Sequence, residues 1–206
     1  MPMATAFYLI TIFLASLVRA TSFLQAISTL PQLSNFTNLY IKNPGLASLL
    51  TSGSTTPPYT ILVPNNDAFI KYESFYRHPV TALSSDDLQT LISYHVMVDD
   101  VNSGNITNPE GLIVPTLLTG QTYNNRTPGP ALEDSFGNDA GGQVVYIFPA
   151  VSSNTTLVQS GLGVNVTIQV IDGTWDNGWF QEVTEYVRIR EWNSPVFLIF
   201  LLNGGV

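Results

Sequence analysis

Not one of the 206 residues is a cysteine. That absence constrains the chain more than any motif in it. Disulfides, zinc–thiolate centres and cysteine nucleophiles are all removed at once. With no cross-link to restrict the unfolded state, the native state must rest on a well-filled core. The material for one is present. Apolar residues make up 45% of the chain and charged residues 11%, under half the usual share of about 25%. Such a composition does not describe a disordered chain, and 206 residues suit one domain with at most a short appendage. Fifteen acidic side chains against seven basic ones leave a net charge of −8. A phosphate backbone needs clustered Lys and Arg, so no nucleic-acid partner is expected.

Residues 1–20 read as a secretory signal peptide. An apolar run from Ala6 to Val18 leads into Val18-Arg19-Ala20, with small or modest residues at the −3 and −1 positions of a cleavage site. The run is shorter than the roughly 20 residues that span a bilayer, so no stable membrane span is expected after cleavage near Thr21. Asn35, Asn105, Asn125, Asn154 and Asn165 each head an Asn-x-Ser/Thr sequon, which agrees with a secreted, extracellular glycoprotein.

Beyond the leader the pattern passes from helical to strand-rich. Ser22 and Gln25 stand at capping-box spacing before a short helix carrying Phe23, Leu24 and Ile27, with Pro31 as its stop. A second helix is predicted from Leu33 through Phe36, Leu39 and Tyr40. Asn43-Pro44 opens a third, ahead of Leu46, Leu49 and Leu50. Thr51 to Pro58 is a linker. Tyr59 to Val63 is a strand, ended by Pro64, and Asn66-Asp67-Ala68-Phe69 starts the next helical turn, with Asn66 or Asp67 as its cap. Ser84 and Asp87 frame another capping box, and Leu88, Leu91 and Ile92 supply one helical face. Strands are predicted over 94–98, 112–118, 143–149, 156–159, 164–172 and 179–189. Residues 123–142, rich in Asn, Pro and Gly, are expected to form an exposed loop. No internal repeat is present.

Three of these segments together resemble a known family. Tyr59-Thr60-Ile61-Leu62-Val63-Pro64-Asn65-Asn66-Asp67-Ala68-Phe69 is similar to the first signature box of fasciclin domains. Leu91-Ile92-Ser93-Tyr94-His95-Val96 resembles their Leu-x-x-Tyr-His-Val element, and Val114-Pro115-Thr116-Leu117-Leu118 the Pro-Thr-Leu-Leu segment that follows. The resemblance covers roughly residues 23–189. It implies an α+β fasciclin-like fold, a twisted β-sheet wedge or sandwich capped by several short helices, over a domain spanning 21–189. It also implies motif roles for Asn66, Asp67, Phe69 and Pro115. The sequons and the loop around Asn125 suggest the secreted, fungal, single-domain branch.

The C-terminal box fits less well. In Asn177-Gly178-Trp179-Phe180-Gln181-Glu182-Val183-Thr184, Gln181 stands where the family often has His and Thr184 where it often has Asp. The closing strand is therefore expected to be imperfectly locked. Residues 190–206 read as a divergent apolar tail ending in Val196 to Leu202. It is too short for a lipid-anchor signal, and a gene-model end is preferred over an anchor remnant or an interface strand.

Catalysis finds no support in the residue pattern. His78 and His95 lack neighbouring ligand residues, and neither a His-Glu-x-x-His run nor a Gly-x-Ser-x-Gly elbow occurs. Asp99 to Asn105 only faintly resembles a calcium loop, because position 12 counted from Asp100 is Gly111 rather than Glu. No metal, no cofactor and no enzymatic role are expected. The resemblance implies cell adhesion or association with matrix or cell wall, through an extracellular protein or glycan partner. In animal adhesion relatives the Tyr-His element is a proposed contact motif. Carried over, that names Tyr94 and His95, with Leu91, Ile92 and Val96 beside them. The competing account packs Tyr94 and His95 inside, satisfied by backbone hydrogen bonds. A second functional class is a carrier of small apolar ligands or lipid, using a cleft between helices and sheet.

Overall fold

The apolar pattern contains two kinds of strand. The computed structural model describes residues 21–51, 59–106, 110–120, 122–123, 127–150 and 155–189, and shows why they differ. Strand β1 (Tyr59–Pro64) is buried at every position. It lies parallel to β7 (Gly178–Val183) and antiparallel to β2 (Val96–Met97). Its Ile61 and Val63 join one apolar cluster and Leu62 joins the other. A strand covered on both faces has no polar side, and so its sequence runs apolar without alternation. The remaining strands are β3 (Leu112–Pro115), β4 (Val144–Pro149), β5 (Thr156–Gln159) and β6 (Asn165–Trp175), paired antiparallel in succession. These have one face inside and one outside. In β4, Val145 and Ile147 are buried whereas Val144, Tyr146 and Phe148 alternate outward.

The strand order is β2-β1-β7-β6-β5-β4-β3. The two ends of that order meet. Met97 bridges Thr116, the Val98 N–H donates to the Pro115 carbonyl (3.0 Å) and the Leu117 N–H to the Val96 carbonyl (2.9 Å). The sheet thus nearly closes on itself, which satisfies strand edges that would otherwise template association. The β1–β7 pairing also depends on a glycine. Gly178 has φ +143°, and a Cβ there would lie 2.1 Å from the Tyr59 carbonyl oxygen.

Helices cover one side of β1, β2 and β7. They are α1 (Phe23–Ser28), α2 (Ser34–Lys42), α3 (Pro44–Thr51), α4 (Asn66–Tyr76) and α5 (Ser85–Ser93). The Ser22–Gln25 capping box is formed. Phe23 meets the rings of Phe36, Tyr40, Trp175 and Phe180 at centroid distances of 5.2–6.3 Å. The contacts with Phe36, Tyr40 and Phe180 are edge-on and the one with Trp175 is tilted, and together they pack α1 against α2 and the sheet. The second cluster, around Leu62, Met97, Val145, Val158 and Val166, lies inside the curved sheet. None of the described helices is long and apolar enough to cross a membrane.

Several expectations are corrected. Residues 127–142 do not run as plain loop: a helix (Pro130–Phe136) and a 3₁₀ turn (Gly137–Gly141) occupy most of them, with Gly129 as N-cap and Pro130 in the first turn. Gly and Pro act there as helix punctuation. The strand expected over 94–98 shrinks to Val96–Met97, since Tyr94 and His95 form the exit turn of α5. Strand β7 ends at Val183 rather than Ile189, although Tyr186 and Val187 beyond it are buried. Residues 1–20, 52–58 and 190–206, and with them the leader, most of the linker and the apolar tail, lie outside the described residues, as do Asn125 and Asn154.

Candidate functional site

Helix α5 positions the Tyr-His element. The Ser84 side chain accepts from the Asp87 N–H (3.1 Å), so the helix starts where the capping box predicts. Leu88, Leu91 and Ile92 pack inward, and the chain turns with the His95 N–H on the Ile92 carbonyl (2.8 Å). The two side chains then leave in different directions, each to join distant segments.

The Tyr94 hydroxyl donates to the Val144 carbonyl (3.2 Å) and accepts from the Gly161 N–H (2.9 Å). It thereby links α5 to β4 and to the β5–β6 turn. Burial pushes its pKa up to about 12, opposed by the bond from Gly161. His95 uses both ring nitrogens. Its Nε2 lies 2.9 Å from the Val187 N–H, which can only donate, so Nε2 must accept. The proton therefore sits on Nδ1 and is donated to the Leu91 carbonyl at 2.8 Å. Burial brings the His95 pKa down to about 4, against the opposing effect of the Leu91 bond. The imidazole is neutral and serves as a clamp on the C-terminal segment.

That segment, residues 184–189, is tied down along its length. Tyr186 packs against the rings of His95, Phe69 and Tyr72 at 5.2–5.5 Å. The Arg188 guanidinium lies 3.9 Å from the Phe75 ring centroid, and Lys71 pairs with Glu185 at 3.0 Å. The closing strand is locked too, contrary to expectation. Gln181 is fully buried; its Nε2 donates to the Val101 carbonyl (3.0 Å) and to Asp172 (2.8 Å), and its Oε1 accepts from the Asp172 N–H (3.1 Å). An amide at this position both donates and accepts, which lets it hold a bulge in β6 where Asp172 adopts φ +45°. Burial would raise the Asp172 pKa, but bonds from the Ser103 hydroxyl, Gln181 and the Ser103 N–H hold it below the usual carboxylate value.

The contact set named from sequence is interior. Leu91, Ile92, Tyr94, His95 and Val96 are all buried, none more than 8% exposed. A partner cannot touch these side chains while the fold is intact, so the packed account describes them. The first signature box is also a structural joint, with its roles displaced by one residue. Asn65, not Asn66 or Asp67, caps α4: its side chain accepts from the Ala68 N–H (3.0 Å) and donates to the buried Glu182 (2.8 Å). Asn66 reaches back instead, donating to the Pro31 carbonyl (3.1 Å) and accepting from the Asn35 N–H (3.0 Å). Asp67 is exposed in the first turn, where a carboxylate suits the helix dipole. Phe69 packs on Tyr186, and Pro115 ends β3 with its carbonyl on Val98. Sequence reasoning missed Asn65, Glu182, Tyr186 and Val187, whose partners lie far along the chain. The consecutive amides Asn65-Asn66 directly after Pro64 were the local signal for the first of them.

Among the described sequons, Asn35, Asn105 and Asn165 are exposed. No three His, Asp or Glu side chains among the described residues converge as a metal-ligand set.

A family model described as "Fasciclin domain" matches residues 31–172. One solved structure, a FAS1 domain pair from the insect cell adhesion molecule Fasciclin I, is similar at 19% identity with a TM-score of 0.49. The match covers 76% of this chain and 45% of that one, so the chain spans less than half the length of that structure. No curated protein matches.

Proposed function

The chain belongs to the fasciclin-domain family, and from that premise we propose that it is a secreted, N-glycosylated, non-catalytic module of cell adhesion or matrix association. Fasciclin domains are generally non-catalytic adhesion modules, typically extracellular or on cell surfaces. The family match carries the proposal. The geometry is compatible with it: His95 holds two backbone groups, and Asp172 holds Ser103 and Gln181. Binding is then a matter of outer faces, with a protein or glycan of the extracellular matrix or cell wall as partner.

The test is to express the full chain in a eukaryotic secretory host and to display the secreted product on beads at rising density. Adhesion predicts binding to cells or isolated walls that climbs steeply with valency. A product that co-purifies with apolar ligand by native mass spectrometry and shows no avidity would replace this assignment with the carrier class. Tyr94→Phe separates a contact role from a structural one: its adhesion, measured on the folded fraction, should equal that of the parent chain.

A further inference from the structure

The outer face of the antiparallel half of the sheet carries apolar side chains that neither core uses. Ile113 is 56% and Val144 36% exposed. Tyr146, Phe148 and Leu157 are half-buried, and the rings of Tyr146 and Phe148 stack at 4.8 Å with an interplanar angle of 17°. Strand register sets these residues in two cross-strand rows. One runs Ile113, Tyr146, Gln159, Asn165, and its neighbour runs Phe148, Leu157, Thr167. Neither row holds a charged side chain.

Both rows end on one sequon. Asn165 and Thr167 stand two apart on β6, and strand geometry sends their side chains to the same face. Asn165 is exposed, and its Oδ1 accepts from the Gln159 Nε2 at 2.9 Å. That bond fixes the amide by its oxygen and leaves Nδ2 for a sugar. The Asn105 amide differs, because its Nδ2 donates to the Asp100 carbonyl at 2.7 Å.

We infer that Asn165 carries an N-linked glycan whose first N-acetylglucosamine units lie back across Leu157, Tyr146 and Phe148. Tyr146 is two inter-strand steps from Asn165, about 10 Å, a span that a two-sugar core covers. The C–H face of a pyranose and its N-acetyl methyl are apolar and uncharged, as this face is. An uncovered apolar face on a monomer invites association, and a covalent glycan is bulky and solubilising. Attachment forms a bond from sugar C1 to Nδ2 and breaks the C1–phosphate bond of a lipid-linked diphospho-oligosaccharide. The lipid diphosphate and the displaced Nδ2 proton leave. The inference rests on the secretory assignment, since that donor belongs to the secretory pathway.

The experiment uses the full chain from a eukaryotic secretory host. Glycopeptide mass mapping reads occupancy at each sequon, and nuclear Overhauser spectra read contacts from N-acetyl methyl protons to aromatic ring protons. We expect occupancy at Asn165, contacts from its N-acetyl methyl to Tyr146 and Phe148, and an upfield shift of that methyl by the rings. In Asn165→Gln, binding of an apolar-surface dye should rise severalfold. The contact measurement needs only the parent chain, so it does not depend on a variant folding. Secreted chain glycosylated at Asn35 but bare at Asn165, or glycosylated at Asn165 with an unshifted methyl and no ring contacts, overturns the inference and leaves the secretory assignment standing. A chain retained in the cell with no sugar at any sequon overturns both.

Discussion

Replacing His95 by Phe tests the clamp directly. Phenylalanine keeps the ring against Tyr186 but offers nothing to the Leu91 carbonyl or the Val187 N–H, which the imidazole serves at 2.8 and 2.9 Å. Each orphaned buried backbone group costs about 1–3 kcal/mol, so His95→Phe should lose roughly 2–6 kcal/mol near neutral pH. The pH dependence is the sharper signature. His95 has a depressed pKa, 6.5 in the unfolded chain and about 4 in the folded one. As pH falls, the unfolded state takes up the proton first. Stability from the neutral imidazole is therefore complete above pH 6.5, falls through the window down to about 4, and levels off below it. The loss over that window is about 3 kcal/mol. Urea denaturation of parent and variant between pH 7.5 and 4 gives the difference directly, and His78 and every carboxylate common to both cancel. The stability gap should narrow by about 3 kcal/mol as the solution is acidified. A gap that stays constant across the range would refute the neutral, doubly bonded imidazole, whatever its size at neutral pH.

Four further substitutions follow from the same packing. Asn65→Ala should cost about 2–3 kcal/mol in chemical denaturation, since it removes both the α4 cap and a donor to the buried Glu182. Asn66→Ala, which loses only its ties to Pro31, Ser34 and Asn35, should cost about 1 kcal/mol, and equal values would contradict the assigned cap. Tyr186→Phe should raise stability or leave it unchanged, by up to about 1 kcal/mol, because its buried hydroxyl has no hydrogen-bond partner among the described residues; a marked loss in thermal denaturation would reveal a partner. Tyr94→Phe should lose about 1–3 kcal/mol, less than His95→Phe because Gly161 is exposed and water can reach its N–H once the hydroxyl is gone, and amide exchange at Gly161 should speed up with it.

Local features carried a good part of the fold. The helix starts at Ser22 and Ser84 were legible because capping joins residues three apart, within reach of any sequence reading. Strands β1, β4 and β5 were legible because burial on one face or two leaves different patterns in the sequence. The 123–142 stretch misled because Gly and Pro serve both loops and helix ends, and only packing decides between them. Asn65 and Asn66 are chemically the same; which one caps was decided by Glu182, 117 residues away, which takes the Asn65 amide. The weak C-terminal box misled in the opposite sense, since Gln181 finds its partners at Val101 and Asp172 across the closed sheet.

By itself the sequence determined that this chain must fill its core without covalent help, and the order in which helices and strands do so. It also identified Tyr94 and His95 as the residues to watch. Their role was a tertiary matter. A tyrosine and a histidine at the end of a helix can face a partner or bind the fold together. The choice depended on the Gly161 and Val187 N–H groups, which arrive only when β5, β6 and the segment after β7 have docked. Hydrogen bonds of short reach between residues 67 and 92 positions apart leave no periodicity in the chain, so only the folded structure could pair them.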